Sequence, residues 1–90
     1  MNKLNKNALQ KKLFYRSKKR GCREMDYILG SFAEKYLSFM DEKTLKRYTL
    51  ILDQNDNDLY NWINNKSSAP SYIDSEIIDK LSKIAQIKLL

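Results

Sequence analysis

Few side chains in this sequence can do chemistry on their own. There is no histidine and a single cysteine, Cys22. A Ser-His-Asp or Cys-His nucleophile lacks its base. A zinc site built from Cys and His lacks its ligands, and one cysteine closes no disulfide within the chain. Two glycines and one proline leave no Gly-rich phosphate loop. The carboxylates Asp53, Asp56 and Asp58 lie close enough in sequence to suggest acid/base work. Clusters of this kind more often cap a helix, and Asp58 fits the first turn of one. No catalytic residue, metal ligand or cofactor-binding residue is assigned, so any part in catalysis is expected to run through a partner.

The spacing with most to offer is Lys18-Lys19-Arg20-Gly21-Cys22-Arg23-Glu24-Met25-Asp26. Three cations end one helical pattern, where the negative end of a helix dipole lies. Gly21 suits a C′ position that requires positive φ. Glu24 and Asp26 then fall at the positive end of the next helix. A helix cap accounts for all of these choices. They also predict a bare backbone turn flanked by Arg20 and Arg23, with Glu24 and Asp26 beside it. Such a rigid surface of mixed sign suits docking on a polar protein face better than binding a uniformly charged nucleic acid.

The elements that position this turn read as helices throughout. Residues 5–19 place Leu9, Leu13 and Phe14 or Arg16 at turn spacing, with a basic opposite face. Residues 23–38 carry Met25, Ile28, Leu29, Phe32 and Tyr36 on one side. Residues 41–53 carry Leu45, Tyr48, Ile51 and Leu52, with Asp41 as the cap and Glu42 at the positive dipole end. Asn55 or Asp56 caps a short helix over 56–65 bearing Leu59, Trp62 and Ile63. Residues 65–70 read as a loop. A last helix over 72–87 turns Ile73, Ile77, Leu81 and Ile84 inward, with fraying expected after Ala85. No run alternates at period two. The expected fold is all-α, a small five-helix bundle in a single domain, with Trp62, Tyr48, Leu52 and Phe32 in its core. Gly30, inside the second helix, costs about 1 kcal/mol against alanine, so close helix packing or a partner's approach is expected there.

The net charge of +6 is unevenly spread. Residues 1–23 hold nine cations and no acid, whereas residues 24–90 sum to −3. The chain therefore reads as a basic arm, residues 1–12, continuous with the first helix, on a mildly acidic body over 13–90. A basic segment attracts nucleic acid, anionic lipid or an acidic protein face, although many such lysines serve only as a solvated face. No window is long and apolar enough for a transmembrane helix, so no membrane insertion is expected. The N-terminus lacks a secretory h-region and is rich in Lys and Asn rather than Arg and Ser. A cytosolic protein without a targeting segment is expected.

The motif Arg20-Gly21-Cys22-Arg23-Glu24-Met25-Asp26 resembles the Arg-Gly-x-x-Glu-x-Asp signature of the succinate dehydrogenase flavinylation factors. These are called SdhE in bacteria and succinate dehydrogenase assembly factor 2 in mitochondria, and the resemblance is taken to imply the bacterial type. The resemblance extends through Phe14-Tyr15-Arg16-Ser17, Ile28-Leu29-Gly30-Ser31-Phe32 and Leu45-Lys46-Arg47-Tyr48. It closes at Leu52-Asp53 and Asn57-Asp58-Leu59-Tyr60-Asn61-Trp62-Ile63, covering roughly residues 13–64. It implies a helical, non-enzymatic assembly factor that binds the flavoprotein subunit of succinate dehydrogenase and promotes covalent attachment of FAD to a histidine of that subunit. The flavoprotein of fumarate reductase is a second candidate client. FAD would belong to the partner and not to this chain, which is expected to be a monomer when free. The signature carries over to Arg20, Gly21, Glu24 and Asp26 as partner-binding residues, with Arg23 beside them. Cys22 falls at a variable position and has no redox role. The rival readings are a small basic nucleic-acid-binding domain and an antitoxin. Against the first, the third helix has Lys43, Lys46 and Arg47 but opens with Asp41 and Glu42, which would face phosphate badly.

Overall fold

The computed structural model describes residues 3–89 and the side chains of residues 6–87. The first two residues of the basic arm and the side chain of Lys3 lie outside that description, as does Leu90. Five α-helices follow one another: α1 (Lys3–Lys18), α2 (Arg23–Tyr36), α3 (Glu42–Leu52), α4 (Asp56–Ile63) and α5 (Ser75–Leu89). A 3-10 turn, Leu37–Phe39, joins α2 to α3. No strand occurs among the described residues. α1 packs on α2 and α3, α2 on α5, and α4 on α5.

The apolar spacings account for this packing. Leu13 from α1 is buried with Met25, Ile28, Leu29 and Phe32 from α2 and with Leu45, Tyr48, Ile51 and Leu52 from α3. Leu59, Trp62 and Ile63 of α4 and Ile77 and Leu81 of α5 complete the core. The Phe32 ring lies 5.0 Å from the Tyr48 ring at a tilt of 43°, within the favoured range for aromatic pairs. Ser17, fully buried, takes the α1 position that faces Tyr48. Its Oγ donates to the Leu13 carbonyl at 2.7 Å, which leaves the Tyr48 hydroxyl to donate to Ser17 Oγ at 2.6 Å. Burial pushes the Tyr48 phenol up to about 12.

Helix ends follow local chemistry. Asp41 caps α3 by accepting from the Thr44 amide at 2.8 Å. Of the two candidate caps for α4, Asn55 serves, accepting from the Asp58 amide at 2.8 Å. α4 ends two residues earlier than expected, in a Schellman arrangement. The Lys66 amide reaches the Asn61 carbonyl at 2.8 Å and the Asn65 amide reaches Trp62 at 3.2 Å, with Asn65 at φ 59°. α5 starts at Ser75 rather than 72 because Asp74 Oδ1 takes the amides of Glu76 and Ile77 at 2.9 and 3.2 Å. It continues past Ala85 to Leu89.

At Gly30 the expectation of close helix packing is corrected. A Cβ built there would meet only Lys18 Cγ, at 3.5 Å, which is ordinary contact. The stem of a flexible lysine covers it, and no helix backbone comes close.

Candidate functional site: the turn between α1 and α2

α1 stops at Lys18 and α2 begins at Arg23. Gly21, at φ +90°, reverses the chain between them. It lies three residues past the last helical residue, so its positive φ belongs to the turn itself rather than to a C′ position next to the helix. Beyond its two chain neighbours, no residue has a heavy atom within 4 Å of a Cβ built at Gly21. Its outer side is open backbone, as expected.

The other signature residues divide into two groups. Arg23 and Glu24 are exposed in the first turn of α2. Arg20 and Asp26 turn inward. The Arg20 amide donates to Asp26 Oδ1 at 2.7 Å, which closes the turn on itself. The Arg20 guanidinium does not flank the turn in solvent as expected; its side chain is only 12% exposed. Nε donates to Asp56 Oδ1, Nη1 to the Leu52 carbonyl and Nη2 to the Gln54 carbonyl, each at 2.6 Å. One turn earlier, Arg16 Nη2 donates to the same Leu52 carbonyl at 3.1 Å and to Asp53 Oδ1 at 2.9 Å. Two guanidinium groups thus sit at the C-terminal end of α3, where cations oppose the dipole and satisfy the last carbonyls.

Sequence reasoning missed Arg16, Asp53 and Asp56 as members of this site. Only a partial signal was present: Asp53 and Asp56 bracket the α3–α4 junction, whereas Arg20 lies two residues past the last helical residue of α1 and shares no helix face with Arg16. Of the three carboxylates weighed for acid/base chemistry, Asp53 and Asp56 pair with these arginines, and Asp58 lies in the capped first turn of α4. A solvent-open groove of about 380 Å³ lies between the two loops, lined by Tyr15, Arg16, Lys19, Arg20, Asn55 and Asp56. Cys22 is half-buried and packs against the core. No group of three or more His, Cys, Asp or Glu side chains able to hold a metal occurs among the described residues.

The charge asymmetry is partly neutralised. Arg16, Arg20 and Lys18 of the basic segment pair with Asp53, Asp56 and Glu34 of the acidic body. On α3, Lys46 pairs with Glu42 at 3.5 Å and Arg47 with Asp74 at 3.6 Å. The Asp41 carboxyl is held below its ordinary value by its hydrogen bonds to Thr44. The start of α3 is anionic, and two of its three cations are engaged.

Residues 11–85 match a family model described as flavinator of succinate dehydrogenase. The chain belongs to this flavinator family. Relatives named succinate dehydrogenase assembly factor 2, mitochondrial, occur in several eukaryotes. The Dictyostelium discoideum protein is 43% identical over 70 residues, 78% of this chain and 50% of that protein. The Danio rerio protein is 34% identical over 79 residues, 86% of this chain and 50% of its own length. The Caenorhabditis elegans protein is 36% identical over 85 residues, 91% and 71% respectively. The chain thus spans about half the length of the first two. These flavinator relatives overturn the expectation of a cytosolic protein, because all three are named as mitochondrial. That expectation rested on the make-up of the first residues, which carries no weight when the relatives extend well beyond the matched region. The three are also eukaryotic, so they lend no support to a bacterial type.

Among the described residues, no helix is long and apolar enough to cross a membrane.

Proposed function

We propose that the chain binds the flavoprotein subunit of succinate dehydrogenase and promotes covalent attachment of FAD to a histidine of that subunit, as a non-enzymatic assembly factor. The observation that carries the proposal is the closed α1–α2 turn. It offers the Gly21 backbone, Arg23 and Glu24 to solvent on a frame tied by Arg20 and Asp26. Membership of the flavinator family supports the choice of client. With no histidine of its own, the chain supplies neither a flavin acceptor nor an imidazole base.

The contribution of its residues is positional. A preformed docking face holds the immature subunit in one arrangement, so that the subunit's own reacting groups meet in productive geometry. Pre-paid orientation of this kind is worth as much as about 7–11 kcal/mol of barrier in the best intramolecular cases. Paired cations on α3 and its anionic start weigh against the nucleic-acid reading. The test is co-expression of the chain with the flavoprotein subunit, read by in-gel flavin fluorescence after denaturation. Covalent flavin should rise with the chain present, and the two proteins should co-purify. Equal fluorescence with and without the chain would refute the proposal.

A further inference from the structure

Arg20 belongs to the family signature, yet its polar atoms are committed to this chain. Its guanidinium is held by Leu52 at the end of α3, Gln54 in the α3–α4 connection and Asp56 at the start of α4, while its amide is held by Asp26 in α2. One residue therefore ties together two loops that are far apart in sequence. A guanidinium suits this task because its donors lie in a rigid planar fork. A lysine ammonium is a point donor and cannot address two carbonyls and a carboxylate spread across three residues. Asp56 is free to accept because Asn55 does the capping of α4.

We infer that Arg20 is a positioning residue rather than a contact. Its clamp makes the α1–α2 turn and the α3–α4 connection one rigid docking face for a folded protein partner. That face extends past Gly21, Arg23 and Glu24 to Asn55 and to Tyr15, which is 66% exposed on the rim of the intervening groove. The inference rests on the reading that the chain docks on the flavoprotein subunit, and it assigns the α3–α4 connection a place in that docking.

The experiment is a cycle of Arg20→Ala, Asp56→Ala and the double variant. Three readouts are taken: thermal melting, amide hydrogen exchange across residues 20–24 of the free protein, and titration against the purified flavoprotein subunit. Asp56→Ala alone should speed exchange in the α1–α2 turn and weaken binding about tenfold, since coupled neighbours share an interaction of that order. Asp56→Ala added to Arg20→Ala should then weaken binding by no more than about threefold further, because Arg20→Ala already removes all three guanidinium bonds. Arg20→Lys should not restore it. If the two losses multiply in full, Arg20 touches the partner directly and the inference is overturned. It is overturned equally if Asp56→Ala leaves both turn exchange and binding at wild-type values. A purely structural clamp would lower the melting temperature and leave the affinity of the folded fraction unchanged, which also refutes it. If turn exchange responds as expected but wild-type protein binds no subunit, the proposed function fails and the shared docking face falls with it.

Discussion

Gly21 offers the sharpest separation of fold from docking. Its φ of +90° lies where side chains are strained, so any Cβ there costs about 1–2 kcal/mol of backbone energy. Beyond its chain neighbours, no residue has a heavy atom within 4 Å of that Cβ, so the cost should be the same for a small and a large side chain. Gly21→Ala and Gly21→Arg should therefore lose nearly equal stability. The extra positive charge beside Lys19 and Arg23 adds at most a few tenths of a kcal/mol in salt. For a domain of this size the loss is about 4–8 °C in melting temperature per kcal/mol. Urea unfolding checks it, with an unchanged m-value showing that the folded state is intact. Docking should respond differently. An alanine methyl group leaves the backbone approachable, whereas an arginine stands on it. Gly21→Ala should keep most covalent flavin transfer to the co-expressed subunit, and Gly21→Arg should abolish it. Equal transfer by the two variants would refute the docking role of this turn. An arginine penalty more than about 3 kcal/mol beyond alanine would show that the space is not open.

Three further expectations test the frame. Trp62→Ala, at a site 8% exposed, should cost about 3–5 kcal/mol and bring the domain close to unfolding at ambient temperature; a wild-type melting curve would refute the core assignment. Gly30→Ala should raise stability by about 0.5–1 kcal/mol in denaturant titration, because the added methyl meets only the Lys18 stem; a loss would mean that this stem is held rigid. The Tyr48 phenol, raised by burial from its ordinary 10.0 to about 12, is favoured in its neutral form by the fold. Its stabilisation is thus complete below pH 10 and is lost as pH climbs from about 10 to about 12, of order 2–3 kcal/mol by linkage. Alkaline unfolding in this window should be blunted in Tyr48→Phe, which itself costs about 1 kcal/mol for the lost hydrogen bond to Ser17; identical alkaline transitions in the two proteins would remove Tyr48 as the cause.

The helices were legible because their apolar spacings are consistent, as in Met25-Ile28-Leu29-Phe32, and because Asp41 and Asn55 stand where caps belong. The start of α5 was misplaced because Tyr72 and Ile73 prolong the apolar pattern. Ile73 is indeed buried, but in the turn that precedes the Asp74 cap. At Gly30, propensity alone suggested close helix packing or a partner's approach, and only the fold shows a lysine stem there in place of a helix backbone. The site was half legible. Gly21, Arg23 and Glu24 lie on the surface as local rules place them. Arg20 was read outward because cations at the end of a helix complement that helix's own dipole. The structure uses Arg20 and Arg16 on the end of α3 instead, a tertiary arrangement that no window of α1 encodes.

This division explains how a motif of seven residues can serve fold and docking together. A turn with open backbone is mobile unless something outside it holds the chain, since a flexible loop gives up conformational entropy on binding and weakens the complex. Arg20 and Asp26 remove that cost in advance by bonding inward, and Gly21 leaves the outer side clear. The same inward bonding consumes positive charge. With Arg16, Lys18 and Arg20 neutralised by Asp53, Glu34 and Asp56, the turn keeps Lys19 and Arg23 against an exposed Glu24. The local field is therefore mixed in sign despite a chain charge of +6. A surface of mixed sign gains specificity from matching a protein partner charge by charge, and it gains little from a polyanion that would meet Glu24 and the acidic start of α3 on the same molecule.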